Sequence, residues 1–214
     1  MASDVLTPLQ QSVLTELFGD PWLHDHFYLT GGTALAAYYL RHRRSDDLDL
    51  FTHDDVLNGI DGLLRSYLVR TGWRVEQTGK APRFLRYRLN DELQLDFVVD
   101  VPFRVGSPQR IDAVMVDSLK NIAVNKVCAI LGRLDPKDYV DLFFILRDQE
   151  LDILELLDLA GHKDAGMDRF IWASLVGTAE LGILPSMIRP VSLAELAQFY
   201  RALRDQILDA IRPK

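Results

Sequence analysis

Apolar positions recur along the chain at two spacings, and these mark out its elements. Leu6, Leu9, Val13, Leu14, Leu17 and Phe18 keep helical spacing, with Thr7 and Pro8 in front of them as an N-cap and first-turn pair. Phe27 to Thr30 is rich in strand formers and runs into Gly31-Gly32, after which Thr33 to Leu40 reads as helical. The unit predicted is strand, glycine turn, helix. A polar run from Arg41 to Asp46 follows, and then Asp47-Leu48-Asp49-Leu50-Phe51 alternates strictly. Side chains on a strand point to opposite faces in turn, so the leucines share one face and both aspartates the other.

Val56, Leu57, Ile60, Leu63, Leu64, Tyr67 and Leu68 mark an amphipathic helix that Thr71-Gly72 should stop. Two strands, Phe84 to Leu89 and Leu93 to Val99, flank Asn90-Asp91-Glu92, which has hairpin-turn chemistry. Leu93, Leu95, Phe97 and Val99 share a face of the second strand, leaving Asp96 on the other. Pro102 to Pro108 reads as a loop. From about Asp117 helices dominate: 118–131, 136–146, 153–160, 168–181 and 193–211. The expected fold is α+β (α/β): a small mixed sheet flanked by helices over 1–112, with an α-helical C-terminal region over 113–214.

Composition narrows the class. At 214 residues, 48% hydrophobic and 26% charged, the chain can build one core with a modest appendage, which excludes disorder and collagen-like structure. No apolar run approaches the roughly 20 residues of a membrane span, and Met1-Ala2-Ser3-Asp4 has neither a basic nor an apolar leader segment. The expectation is a soluble, cytoplasmic protein with no membrane partner. One cysteine, Cys128, allows neither an internal disulfide nor a cysteine-based zinc site. A net charge of -7 and a pI near 5.2 argue against general DNA coating, while leaving room for a local basic groove.

The carboxylates carry the sharpest signal. Asp47 and Asp49 sit two apart on one strand face, and Asp96 faces the same way on a strand that can lie alongside. At an effective dielectric near 20 and a separation of about 6 Å, each like-charge pair costs on the order of 3 kcal/mol, so a cation belongs there. Oxygen-only ligands suit Mg²⁺ or Mn²⁺, and such ions serve phosphoryl and nucleotidyl transfer. An amphipathic edge strand with a solvated face would show the same alternation. Upstream, the Gly31-Gly32-Thr33 turn offers backbone N–H groups and a helix start to an anion such as a triphosphate, although glycine turns also occur without ligands.

Gly31-Gly32, followed by Asp47-Leu48-Asp49 and then Asp96, resembles the glycine pair and acidic triad of the nucleotidyltransferase fold related to DNA polymerase β. Gly31-Gly32-Thr33-Ala34-Leu35 with Arg43-Arg44-Ser45-Asp46-Asp47-Leu48-Asp49-Leu50-Phe51 is similar to the AbiEii/AbiGii toxin family of nucleotidyltransferases. So is the run Lys126-Val127-Cys128-Ala129, Arg133 and Lys137-Asp138-Tyr139-Val140-Asp141-Leu142. The resemblance implies a metal-dependent enzyme, the toxin of a toxin–antitoxin pair, that transfers NMP from an NTP to an acceptor hydroxyl, with tRNA 3′ ends among the targets of such toxins. It implies that Asp47, Asp49 and Asp96 hold Mg²⁺ or Mn²⁺ and that Gly31, Gly32 and Thr33 hold phosphates, with Ser45 adding a hydroxyl contact. Lys126 would stabilise developing charge with Asp141 fixing it, and a cognate antitoxin would be the protein partner.

Lys126, Ala129 and Arg133 share one helical stripe, where a solubilising lysine is the alternative to a phosphate-binding one. Asp135 and Pro136 read as an N-cap and first turn, and Asp138 as a residue that favours the helix dipole. Two basic clusters, Arg41/Arg43/Arg44 and Lys80/Arg83/Arg86/Arg88, offer either a track for a nucleic-acid backbone or ordinary pairing with surface carboxylates. In the second, Phe84, Arg86 and Arg88 share strand parity. His24-Asp25-His26 has no companion ligand and reads as no metal site. Two other functions remain open: nucleotidyl transfer to a small molecule or a protein hydroxyl, and a non-catalytic module that works through its C-terminal helices.

Overall fold

The computed structural model describes residues 4–212, without the side chains at 65 and 67–69. The readings placed on Met1 to Ser3 and on the faces of Tyr67 and Leu68 therefore lie outside the described residues. The chain forms two compact units. The first runs up to Tyr39 and takes in Ser45–Pro102 and Ser107–Ser118; the second takes Leu40–Arg44, Phe103–Gly106 and everything from Leu119.

In the first unit, α1 (Pro8–Gly19) starts at a reciprocal capping box: the Thr7 hydroxyl accepts from Gln10 N at 3.1 Å and Gln10 Oε1 from Thr7 N at 2.9 Å. The Gln10 side chain then reaches inward to donate to Ser45 O at 2.7 Å. After α2 (Pro21–His26) comes β1 (Tyr28–Thr30), then the short α3 (Gly31–Ala34), whose coil widens into a π-helical turn, Leu35–Leu40. β2 (Asp47–Thr52) follows, and a 3₁₀ turn, Leu57–Gly59, leads into α4 (Ile60–Thr71). As the sequence suggests, α4 stops where Gly72 takes the left-handed conformation, φ +73°.

β3 (Val75–Ala81), β4 (Phe84–Leu89), β5 (Leu93–Val99), β6 (Gln109–Ile111) and β7 (Val114–Val116) complete a seven-stranded mixed sheet of order β3-β4-β5-β2-β1-β7-β6. β2 runs parallel to β5 and antiparallel to β1, while β7 is parallel to β1. The sheet core is the leucine face read from the alternation, with Leu48, Leu50, Leu95 and Phe97 fully buried. Between β4 and β5, Asn90 and Asp91 both have positive φ, a conformation these two residues tolerate better than most, and Glu92 N closes the turn on Leu89 O at 3.0 Å. β3, β6 and β7 were not among the expected strands. β3 and β6 expose most of their residues, and β6 and β7 have three residues each, so none shows an apolar alternation long enough to read.

The second unit is helical: α5 (Leu119–Gly132), α6 (Pro136–Asp148), α7 (Ile153–Lys163), α8 (Arg169–Thr178) and α9 (Leu193–Ile211). Asp135, Asp152, Asp168 and Ser192 cap the last four, each side chain accepting a backbone N–H of the first turn. Trp172 is fully buried and donates its indole N–H to Val127 O at 3.0 Å, which fastens α8 to α5. The segment Leu40–Arg44 is tied in by backbone bonds from Ile188 N and Arg189 N to His42 O and from Arg44 N to Ser186 O. No helix among the described residues is long and apolar enough to cross a membrane.

Candidate active site

The sheet register sets one row of side chains on the face opposite the leucines. Thr30 lies across from Asp49, Asp49 from Asp96, Asp96 from Arg86, and Arg86 from Gly79. Asp47, one pleat earlier on β2, shares that face. Two strands thus bring Asp49 and Asp96 side by side, as the alternation of each strand separately requires.

The glycine turn meets this row directly. Gly31 has φ +67°, and a Cβ there would overlap Asp49 Oδ2 and lie 3.0 Å from Asp49 Cγ. Only glycine satisfies both the backbone and the close approach of the carboxylate. Gly32 is buried, and the buried Thr33 donates its hydroxyl to Asp47 O at 2.5 Å, tying the turn to β2. Its expected part at a phosphate therefore falls to its backbone. Ser45, itself held by Gln10, donates its hydroxyl to Asp47 Oδ1 at 3.1 Å and so orients that carboxylate.

Asp96 has a partner that the residue-by-residue reading missed. Arg86 grips it with both arms of the fork, Nε to Oδ1 at 2.8 Å and Nη2 to Oδ2 at 2.7 Å, and Gln94 Nε2 adds a bond to Oδ2 at 3.2 Å. Of the two alternatives for its cluster, Arg86 takes carboxylate pairing, and its guanidinium stacks on Phe84 at 5.1 Å. Its pKa is held above the ordinary value chiefly by the bonds to Asp96, with the charges of Asp96, Asp49 and Asp47 adding to that. The sign was available in the hairpin: stepping back equally from the turn that joins Leu89 to Leu93 sets Arg86 opposite Asp96.

Among the described residues, no group of three or more His, Cys, Asp or Glu side chains is gathered closely enough to hold a metal ion. The donor chemistry of Asp47 and Asp49 still fits a divalent cation, since their side chains offer only oxygens, which suit Mg²⁺ or Mn²⁺. Asp47 and Asp49 are the residues that could hold such an ion, whereas Asp96 has both oxygens bonded to Arg86.

The second unit carries its own charged cluster around Lys126. Lys126 Nζ lies 2.8 Å from Asp138 Oδ1 and 2.6 Å from Asp141 Oδ2. Asp141 is completely buried and also accepts from Arg43 Nε at 2.7 Å, Arg43 Nη2 at 2.8 Å and His42 Nε2 at 2.6 Å. Arg133 Nε meets Asp138 Oδ2 at 2.7 Å. Burial works against the charge on Lys126, yet Asp141 and Asp138 hold its pKa above the ordinary value. Burial likewise opposes the charge on Asp141, but Lys126 and Arg43 hold its carboxyl well below the usual range. For His42 burial prevails and its pKa is lowered, leaving a neutral ring that donates from Nε2 while Nδ1 has no partner among the described residues.

Two readings change here. Arg43, expected in a surface cluster, is 1% exposed and locked on Asp141; Asp138, expected only to favour the helix dipole, is a buried partner of Lys126 and Arg133. His42 was not singled out, and nothing in its local sequence marks it. His24 and His26 pair with Asp25 and Asp54.

Solved structures share the mixed sheet and the helices described above. JHP933 from Helicobacter pylori has this fold with TM-score 0.60 at 22% identity, covering 98% of this chain and 93% of its own. MenT4, a nucleotidyltransferase toxin from Mycobacterium tuberculosis H37Rv, has it with TM-score 0.63 at 18% identity, covering 95% and 83%. The uncharacterized protein aq_aa25 of Aquifex aeolicus (strain VF5) is 32% identical over 145 residues, 67% of this chain and 69% of its own. The family described as "Nucleotidyl transferase AbiEii toxin, Type IV TA system" matches residues 12–213. The chain belongs to the AbiEii nucleotidyl transferase toxin family.

Proposed function

We propose that this protein is the toxin of a toxin–antitoxin pair and transfers NMP from an NTP to an acceptor hydroxyl, with an RNA 3′ end, tRNA included, as the acceptor. One observation supports this above the others: the Asp49 carboxylate packs on the left-handed Gly31 turn, so an anion-binding loop and a cation-binding face adjoin within one unit. A divalent ion held by Asp47 and Asp49, with Asp96 sharing a second, would neutralise charge on the triphosphate and on the attacking and leaving oxygens.

The backbone of Gly31, Gly32 and Thr33 binds and orients the β- and γ-phosphates. Ser45 keeps Asp47 Oδ1 turned toward the site. An Asp96 oxygen released from Arg86 takes the proton of the acceptor hydroxyl as the hydroxyl oxygen bonds to the α-phosphorus, and the bond to the β-phosphate oxygen breaks to release pyrophosphate. The family resemblance supports a nucleotide-facing role for Lys126 with Asp141 fixing its position, and the paired carboxylates keep that lysine charged. Family membership supports a cognate antitoxin as the protein partner.

The test is to incubate the protein with Mg²⁺, each labelled NTP and total RNA. Label should enter RNA, and the variant carrying both Asp47→Asn and Asp49→Asn should leave it unlabelled; transfer that survives the loss of both carboxylates overturns the mechanism. Label on a protein or small molecule in place of RNA would move the acceptor to that class. Calorimetry showing no Mg²⁺-dependent NTP binding would make the chain a non-catalytic module.

A further inference from the structure

We propose that Arg86 is a positioning residue that keeps the third carboxylate, Asp96, in reserve, and that a divalent cation entering the acidic face must draw one Asp96 oxygen away from it. The inference rests on the proposed reading of Asp47, Asp49 and Asp96 as the metal-binding face, and it adds a control on that face.

The geometry supports an occupied but releasable carboxylate. The Asp96 side chain is 7% exposed and Arg86 covers it from a position that is 40% exposed, so the guanidinium sits on the solvent side of the pair. The two oxygens are not held alike. Oδ2 accepts from Arg86 Nη2 and from Gln94 Nε2, whereas for Oδ1 the bond is to Arg86 Nε at 2.8 Å. Oδ1 is therefore the oxygen given up, with Gln94 steadying the other.

The guanidinium also has somewhere to rest when half its grip is gone. It lies over the Phe84 ring at 5.1 Å, and Gly79 on the neighbouring strand leaves the space, since a Cβ there would stand 3.2 Å from Arg86 Cβ and 3.3 Å from the ring. Bidentate pairing is stronger than a single contact, and lysine cannot reproduce it. An ion must then compete with Arg86 for Asp96. The consequence is a face that binds free metal weakly and fills when an NTP brings further oxygens to the ion.

The experiment measures Mn²⁺ bound to the full chain, without nucleotide, from the paramagnetic resonance signal of the free ion. Arg86→Lys, which keeps the charge and loses the fork, should bind Mn²⁺ roughly tenfold more tightly than the parent, the size expected when one charge-assisted hydrogen bond stops competing. Arg86→Gln, a second variant should the first misfold, should shift the same way. In an Asp96→Asn background the Arg86→Lys change should have no effect, because the carboxylate it releases is gone. Unchanged or weaker Mn²⁺ binding in both Arg86 variants, with binding still lost in Asp47→Asn, overturns the role of Arg86 and leaves the metal face standing. Absence of any Asp47-dependent Mn²⁺ binding in the parent and both variants overturns the metal face as well.

Discussion

The two charged clusters are mirror images in their balance. On the sheet of the first unit, Asp47, Asp49 and Asp96 face Arg86, with Asp47 and Asp49 half-buried. In the second unit, Asp138 and Asp141 face Lys126, Arg43 and Arg133, and both carboxylates are completely buried. Buried charge that lacks a partner is costly, so the second cluster closes its own account with a donor for every carboxylate oxygen. The first leaves Asp47 and Asp49 half-buried, where water and ions can reach them. That access is why the proposed function gives the outside cation to the first cluster, while the ion pairs of the second hold its unit together.

Removing one carboxylate from each cluster should therefore give opposite results. Asp141→Ala takes from Lys126, Arg43 and His42 the buried carboxylate they share, and loss of one partner of a buried ion pair costs about 3–5 kcal/mol. Chemical denaturation should show that loss, or no folded protein. Asp49→Asn removes a half-buried charge that faces Asp96 across the parallel pair, so stability should change by no more than about 1 kcal/mol. Nucleotidyl transfer by the same variant should fall by about a thousandfold or more. Equal destabilisation by both substitutions would erase the distinction.

The glycine turn offers a smaller and more local test. Gly31→Ala places a Cβ at positive φ, a strain of roughly 1–3 kcal/mol, and drives it against Asp49 Oδ2. Combining it with Asp49→Ala should recover part of the loss, because the overlap goes while the backbone strain remains. Thermal melts of the two single variants and the pair give the coupling, which should lie at about 0.5–3 kcal/mol. A strictly additive pair would mean that the carboxylate and the turn do not press on each other.

How far the sequence foretold this depends on whether the causes were local. Alternation in Asp47-Leu48-Asp49 orients both carboxylates without knowledge of any other strand, and Gly31-Gly32 marks the turn by itself. Asp135 before Pro136 fixes where α6 begins. Arg86 opposite Asp96 was legible too, but only by counting register through the hairpin instead of grouping arginines by charge. His42 and Arg43 were not legible: their partner, Asp141, is almost a hundred residues away, and a polar run carries no periodicity to show that its members turn inward. β3 and β6 escaped for the opposite reason, since exposed edge strands need no apolar face.

The smallest effect separates the clusters by pH. His42 has a folded pKa below its ordinary 6.5, so between those two values the unfolded chain binds the extra proton and stability rises with pH. The contribution is complete above 6.5 and is lost as pH falls through that value toward the depressed one. Lys126 has the reverse sign: its folded pKa lies above 10.5, so its contribution is complete below 10.5 and is lost as pH rises through the folded value. The second unit should hold a plateau between these limits, with a decline on the acid side no steeper than about 1.4 kcal/mol per pH unit for the one proton involved. Hydrogen exchange of the α5 and α6 amides at a series of pH values would measure it within that unit. His42→Gln should flatten the decline below 6.5, since the amide can still donate to Asp141 and takes up no proton. A decline of the same slope in that variant would assign the proton to another group.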